Sequence, residues 1–226
     1  MTSSPANLTV AVCLYDQVTS LDYQGPVELL GSFQPEILAQ FKVINDPPPA
    51  YTMKIEFLAH TRDPVKPNAG PRLHPDKTFE EAQGTQYDIL FIPGGNALNV
   101  PNSLLEFIKK QAPGAKHILT VCTGSWVLAN TGYLRGKKAT SNKFVFKMME
   151  EATKDLGVTW VRKARWVVEE DNKLWTSSGV TAGMDMANAF LEYLVGKEKM
   201  VHVRAVVELT ARSADDDEFA AFYGLV

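Results

Sequence analysis

The chain has 226 residues, 45% hydrophobic and 22% charged, with 23 Lys and Arg against 26 Asp and Glu and a formal charge of −3. That length is ordinary for one α/β domain of ~200–250 residues, so a single domain over 1–226 is expected, with a core large enough to need no metal or disulfide staple. The composition excludes disordered, collagenous and coiled-coil chains, and the slight negative balance argues against a nucleic-acid footprint, which needs clustered positive charge.

Two cysteines, Cys13 and Cys122, are too few for a disulfide scaffold and fit a reducing compartment. Met1–Asn7 is polar without a basic n-region. The longest helix-like apolar segment, Val180–Val195, is short for a membrane span and carries Asp185, Asn188 and Glu192. A cytoplasmic protein with no membrane partner is expected.

In chain order, Leu8–Tyr15 is a nearly continuous apolar run with β-branched content, as in a strand buried on both faces. A short helix is expected over Gln24–Phe33, with Pro26 in its first turn. Pro47-Pro48-Pro49 is extended loop, Met53–Thr61 a strand, and Asn68–Pro71 a turn. Asp88–Pro93 is a buried strand ending in Gly94-Gly95, and Ser103–Gln111 has helical spacing at Leu104, Phe107 and Ile108. Lys116–Val121 is another buried strand, running into Cys122, and the helix Thr123–Thr131 stops at Gly132. Asn142–Leu156 reads as a helix capped by Ser141 or Asn142 and ended at Gly157. Val158–Val161, Ala164–Val168 and Leu174–Ser177 are short strands, and the helices Val180–Val195 and Glu198–Ala211 follow. Strands alternating with helices predict a doubly wound α/β sandwich: three layers, a mostly parallel sheet, helices on both faces. The acidic run Asp215–Glu218 reads as a solvated surface rather than a metal site.

In open α/β sheets, sites lie at the carboxyl ends of the strands, here after Tyr15, Pro93, Val121 and Ser177. Cys122 is preceded by a buried strand and followed by Thr123-Gly124-Ser125 and a helix. That is the layout of a nucleophile elbow with cysteine in place of serine, and the helix N-terminus is expected to lower the thiol pKa. An ordinary buried core cysteine is the alternative, and it is the reading for Cys13 inside the first strand. The backbone N–H of Thr123 is one candidate donor to a developing charge, and the Gly94-Gly95 turn, through Gly95, a second. A phosphate loop is the rival reading of these glycines, but no dinucleotide pattern or lysine-bearing loop follows. None of the four histidines, His60, His74, His117 and His202, stands next to Cys122 or after Ser177. Neither they nor a Cys-x-x-Cys give metal-ligand spacing, so no metal is expected. Asp22, which follows the first strand, is read either as a helix N-cap or as the proton carrier.

The landmarks Leu21–Pro26, Ile92–Gly95, Val121–Ser125 and Thr176–Asp185 occur in order and at matching spacing. On these the chain resembles the ThiJ/PfpI superfamily, in its isocyanide hydratase-like branch, over roughly Leu8 to Ala211. The resemblance implies a flavodoxin-like fold related to that of class I glutamine amidotransferases, usually as a homodimer, with Cys122 as a strained nucleophile and Asp22 as its acid. Protease-like members place His after the cysteine, where this chain has Thr123. Glutamine amidotransferases keep His and Glu late in the chain, where it has Ser178-Gly179-Val180, so amide hydrolysis by a Cys-His triad is disfavoured. Many hydratase-like relatives carry His-Trp where this chain reads Asn142-Lys143; Asn142 and Gly179 are the expected pocket residues.

The resemblance implies a cofactor-independent lyase acting on a small molecule. The Cys122 thiolate adds to an isocyanide and Asp22 supplies and later removes a proton, releasing an N-formamide. One alternative keeps Cys122 but acts on a reactive dicarbonyl, as a glyoxalase or deglycase would. Another is a non-enzymatic stress protein that senses oxidation at Cys122.

Overall fold

The computed structural model describes residues 5–226. Its strands are β1 (Ala6–Cys13), β2 (Tyr51–Ala59), β3 (Lys77–Thr78), β4 (Ile89–Ile92), β5 (His117–Thr120), β6 (Lys138–Ala139), β7 (Thr159–Trp160), β8 (Trp166–Glu169) and β9 (Leu174–Ser177). The helices are α1 (Ser20–Gly31), α2 (Pro35–Leu38), α3 (Lys42–Asn45), α4 (Asn102–Gln111), α5 (Gly124–Asn130), α6 (Phe146–Ala152), α7 (Thr181–Val195), α8 (Lys197–Val207) and α9 (Phe219–Phe222). Every residue of β4 and β9 is buried, as a strand covered by helices on both faces requires.

Seven strands form one sheet in the order β3-β2-β1-β4-β5-β9-β8. All its pairs are parallel except β8 with β9. The sheet with its surrounding helices is the flavodoxin-like α/β fold expected from the alternating pattern. The chain moves outward from β1 through β2 to β3, then returns beside β1 as β4 and continues through β5. The order therefore reverses between β1 and β4, and the crevice at their carboxyl ends is where such sheets take ligands.

Small residues let helices approach this edge. A Cβ added to Gly25 of α1 would lie 2.8 Å from Met184 Cγ in α7, and one added to Gly183 would lie 2.6 Å from Val121 Cγ1. Close packing of α1 on α7 thus sets Asp22 against the loop that follows β5.

Three expectations change. First, α1 starts at Ser20, four residues before Gln24, so Pro26 sits in its second turn, where it removes the N–H that would bond the Asp22 carbonyl. Second, the helix expected from Asn142 begins only at Phe146, because Ser141 and Asn142 bond to the segment around Cys122 instead of capping a helix. Third, the acidic run is not wholly solvated: Asp217 is buried against Lys143 at 3.2 Å, while Asp216 and Glu218 pair with Arg212 at the surface. The chain also continues past α8 into α9, which the sequence reading did not contain. Among the described residues, no helix is long and apolar enough to cross a membrane.

Candidate active site

Cys122 follows β5 with φ of 59°, in the left-handed region that non-glycine residues seldom occupy. Such strain persists where the surroundings over-determine it, and here they do. The Cys122 N–H donates to the carbonyls of Ser177 at 3.2 Å and Ser178 at 3.0 Å. Its own carbonyl accepts from Ser125 Oγ at 3.1 Å and Ser141 Oγ at 2.9 Å. Gly124 is required next, because a Cβ there would run into the Ile92 carbonyl oxygen. Asn142 Nδ2 donates to the sulfur at 3.2 Å, and the Thr123 N–H lies near enough to favour the thiolate. Asn142 is held in place by its Oδ1, which accepts the Phe144 N–H at 2.9 Å.

Asp22 is fully buried in the first turn of α1. Its side chain does not cap that helix: Oδ2 accepts the Gly94 N–H, from the loop after β4, at 3.0 Å. The other oxygen, Oδ1, is buried without a partner of hydrogen-bond geometry. The Cys122 thiol and the Val180 N–H nonetheless lie near enough to favour the ionised carboxyl. Val180 has φ of 42°, an outlier for a β-branched residue, so two strained residues flank one acid. Tyr15 OH donates to the Pro93 carbonyl at 3.1 Å and steadies the same loop.

Burial dominates the electrostatics. It raises the Asp22 pKa to about 7, against the lowering effect of Cys122, Gly94 and Val180. Burial also pushes the Cys122 thiol up to about 12, helped by the charge of Asp22; the Thr123 N–H and Asn142 only partly offset it. The expected lowering of the thiol pKa by the helix N-terminus is therefore overturned. The cause is physical: α5 has 7 residues, and Cys122 is only 7% exposed. A buried pair of this kind resists a second negative charge but can move its single one. Ionised Asp22 can take the S–H proton, giving a thiolate beside a neutral acid with no added buried charge.

The raised Asp22 pKa also carries a stability signature. Its contribution is full below the unfolded pKa near 4 and is lost as pH rises through about 7. The stability of the wild type relative to Asp22→Asn is expected to fall between pH 4 and 8, a comparison in which other titrating groups cancel. Urea unfolding of both proteins across that range checks it; a constant difference would show that Asp22 ionises normally.

A model of the DJ-1/PfpI family matches residues 8–193. The chain belongs to the DJ-1/PfpI family. It is 30% identical over 204 residues to an isonitrile hydratase of Pseudomonas putida, covering 89% of this chain and 78% of that protein. Deglycase PfpI of Pyrococcus furiosus is 33% identical over 106 residues, 46% of this chain and 59% of the deglycase. Among solved structures, a ThiJ/PfpI family protein from Pseudomonas syringae superposes with a TM-score of 0.72 at 26% identity, covering 98% and 87% of the two chains. The DJ-1/PfpI family thus includes enzymes, and the resemblance read from the four landmarks is to the same family.

Within this DJ-1/PfpI fold, Asp22, the adjacent Cys122 and Thr123, and Asn142 come together from three separate segments. Gly95 does not join them as a donor: its N–H donates to Thr123 Oγ1 at 2.8 Å, and the same hydroxyl donates back to the Gly95 carbonyl at 2.9 Å. Gly179 serves by lacking a side chain, since a Cβ there would lie 2.5 Å from Asn142 Nδ2. His60 bonds Ser103, and His117 bonds the Asn172 carbonyl and meets Phe190 edge-to-face. Among the described residues, no three His, Cys, Asp or Glu side chains cluster as metal ligands.

The sequence marks the Gly94-Gly95 turn as a donor to a developing charge, but not Gly94 as the donor to Asp22, and it does not mark Val180 as a site residue. A glycine pair after a buried strand is a signal for Gly94; nothing local marks Val180. A Cβ on Gly94 would lie 2.6 Å from Asp22 Oδ2, 2.7 Å from Cys122 Cβ and 2.7 Å from Thr123 N. Gly94→Ala is therefore expected to keep the fold but push acid and thiol apart, with turnover falling on the order of 10²-fold. Kinetics on the folded variant test this; unchanged turnover would mean the pair need not stay in register.

Proposed function

We propose that this protein hydrates an isocyanide to an N-formamide. The observation that carries the reading is the buried acid–thiol pair of Asp22 and Cys122 at the carboxyl edge of the sheet. The similarity to an isonitrile hydratase over most of both chains supports this choice of substrate class.

In the proposed reaction, Asp22 accepts the Cys122 proton. The sulfur then forms a bond to the terminal isocyanide carbon while Asp22 returns the proton to that carbon, giving a thioimidate. Asp22, again ionised, takes a proton from water as its oxygen attacks the same carbon, and passes that proton to the nitrogen. The C–S bond then breaks as the hydroxyl proton moves through Asp22 to the departing sulfur, so the N-formamide leaves and the thiol is restored. The Thr123 N–H and Asn142 Nδ2 stabilise negative charge on the sulfur at each stage where it is exposed.

Purified protein mixed with an aryl isocyanide is expected to yield the N-formamide with multiple turnovers, read by chromatography. Methylglyoxal is the second arm, because several shorter matches are to deglycases. Consumption of methylglyoxal with no formamide from the isocyanide would replace this reading by dicarbonyl chemistry.

A further inference from the structure

We propose that the segment beyond α8 supplies the selectivity wall of this site: Phe219 and Tyr223, facing Phe144, form a subsite for an aromatic ring of the substrate. The inference deepens the proposed function and rests on Cys122 being the reacting group. A cavity of about 210 Å³ is lined by Asn142, Gly179 and Val180 together with these three rings. Asn142 belongs to both places, lining the cavity and reaching the Cys122 sulfur at 3.2 Å. A substrate reacting at that sulfur would project its substituent into this space.

The chemistry of the walls selects the occupant. Phe144 is 74% exposed and Phe219 44% exposed, and the Phe144 and Tyr223 rings meet edge-to-face at 5.9 Å. Large apolar side chains left in water beside a nucleophile gain most from a ligand that covers them, and ring–ring contacts add to that gain. An apolar cavity of ~150 Å³ already holds benzene, so this one has room for a ring and a small substituent. The charged groups at its floor are consumed internally. Lys143 Nζ pairs with Asp217 and donates to Thr140 Oγ1 and the Ala164 carbonyl, both at 2.8 Å. Asp217 Oδ1 accepts the Phe219 and Ala220 N–H groups at 3.0 and 3.3 Å. Arg165 is paired with Asp185, and its N–H donates to the Ala214 carbonyl at 2.7 Å. These bonds dock the segment and present its rings in a fixed place, which lowers the ordering cost of binding. The family match ends at residue 193, so Phe219 and Tyr223 lie outside it.

The test is binding without chemistry. Formanilide and N-methylformamide are titrated into the Cys122→Ala protein, and into the same protein carrying Phe219→Ala and Tyr223→Ala, followed by calorimetry. Formanilide is expected to bind at least tenfold more tightly than N-methylformamide, and the double replacement is expected to remove that preference. In the otherwise wild-type background, the double replacement should keep the rise of Cys122 alkylation by iodoacetamide through about pH 7, whatever its absolute rate, showing that fold and thiol survive. Equal affinity for the two amides, or an undiminished preference in the double variant, overturns the subsite. Failure of the proposed reaction reads differently: formanilide still binds with ring preference, but no aryl isocyanide is turned over.

Discussion

Cys122→Ser is expected to lower turnover of an aryl isocyanide by roughly 10⁴-fold or more, the scale seen when a covalent nucleophile is removed, while the protein stays folded. The hydroxyl fits the space of the thiol and can still meet Asn142 Nδ2. What it cannot do is surrender its proton to Asp22: an acid with a pKa of about 7 can share a proton with a thiol, but not with an alcohol. Cys13→Ser is the control. Cys13 is fully buried in β1, and burial alone pushes its thiol far above the ordinary range. Its replacement should leave turnover unchanged and cost about 1–3 kcal/mol of stability, the penalty of burying a poorly bonded hydroxyl. Steady-state rates and urea midpoints for both variants separate these outcomes; equal loss of rate at equal folded fraction would argue against a single nucleophile.

Asp22→Asn should reduce turnover by ~10²–10⁴, the usual worth of general acid–base catalysis. The amide can keep the bond from the Gly94 N–H that now goes to Oδ2, so geometry is largely preserved and the proton alone is lost. Because the side chain makes no helix-cap hydrogen bond, no capping term confuses the result. At pH 8 the variant is expected to be more stable relative to the wild type than at pH 4, since it no longer buries an ionised carboxylate. Loss of rate together with a relative gain in stability at pH 8 is a combination that a merely structural aspartate would not produce. A fully active Asp22→Asn enzyme would remove Asp22 from the reaction.

The parts of this molecule legible in its sequence are those set by local patterning. Buried runs such as Ile89–Ile92, punctuated by glycine and followed by helical spacing, announce a doubly wound sheet. A strand that ends in Cys122-Thr123-Gly124 places a cysteine on a sharp turn because only glycine fits under the Ile92 carbonyl. Elements whose role depends on distant partners were hidden. Ser141 and Asn142 look like a helix cap, yet contacts twenty residues away claim them. Lys143 and Asp217 each sit in a polar stretch, and only their mutual pairing explains why both are buried. Gly95 has the freedom to offer its amide to a ligand, but the Thr123 hydroxyl takes it. The thiol pKa escapes the sequence for a related reason: a helix N-terminus is visible there, whereas the depth of burial that outweighs it is not.

The central claim is that Asp22 and Cys122 share one proton. The pH dependence of Cys122 alkylation by iodoacetamide, followed by peptide mass mapping in the wild type and in Asp22→Asn, measures this directly. In the wild type the rate is expected to rise through about pH 7, as Asp22 ionises and becomes able to draw off the thiol proton. In Asp22→Asn that rise should vanish, leaving a slow reaction that climbs only toward high pH, with Cys13 unmodified in both until unfolding. Identical profiles in the two proteins would contradict the account.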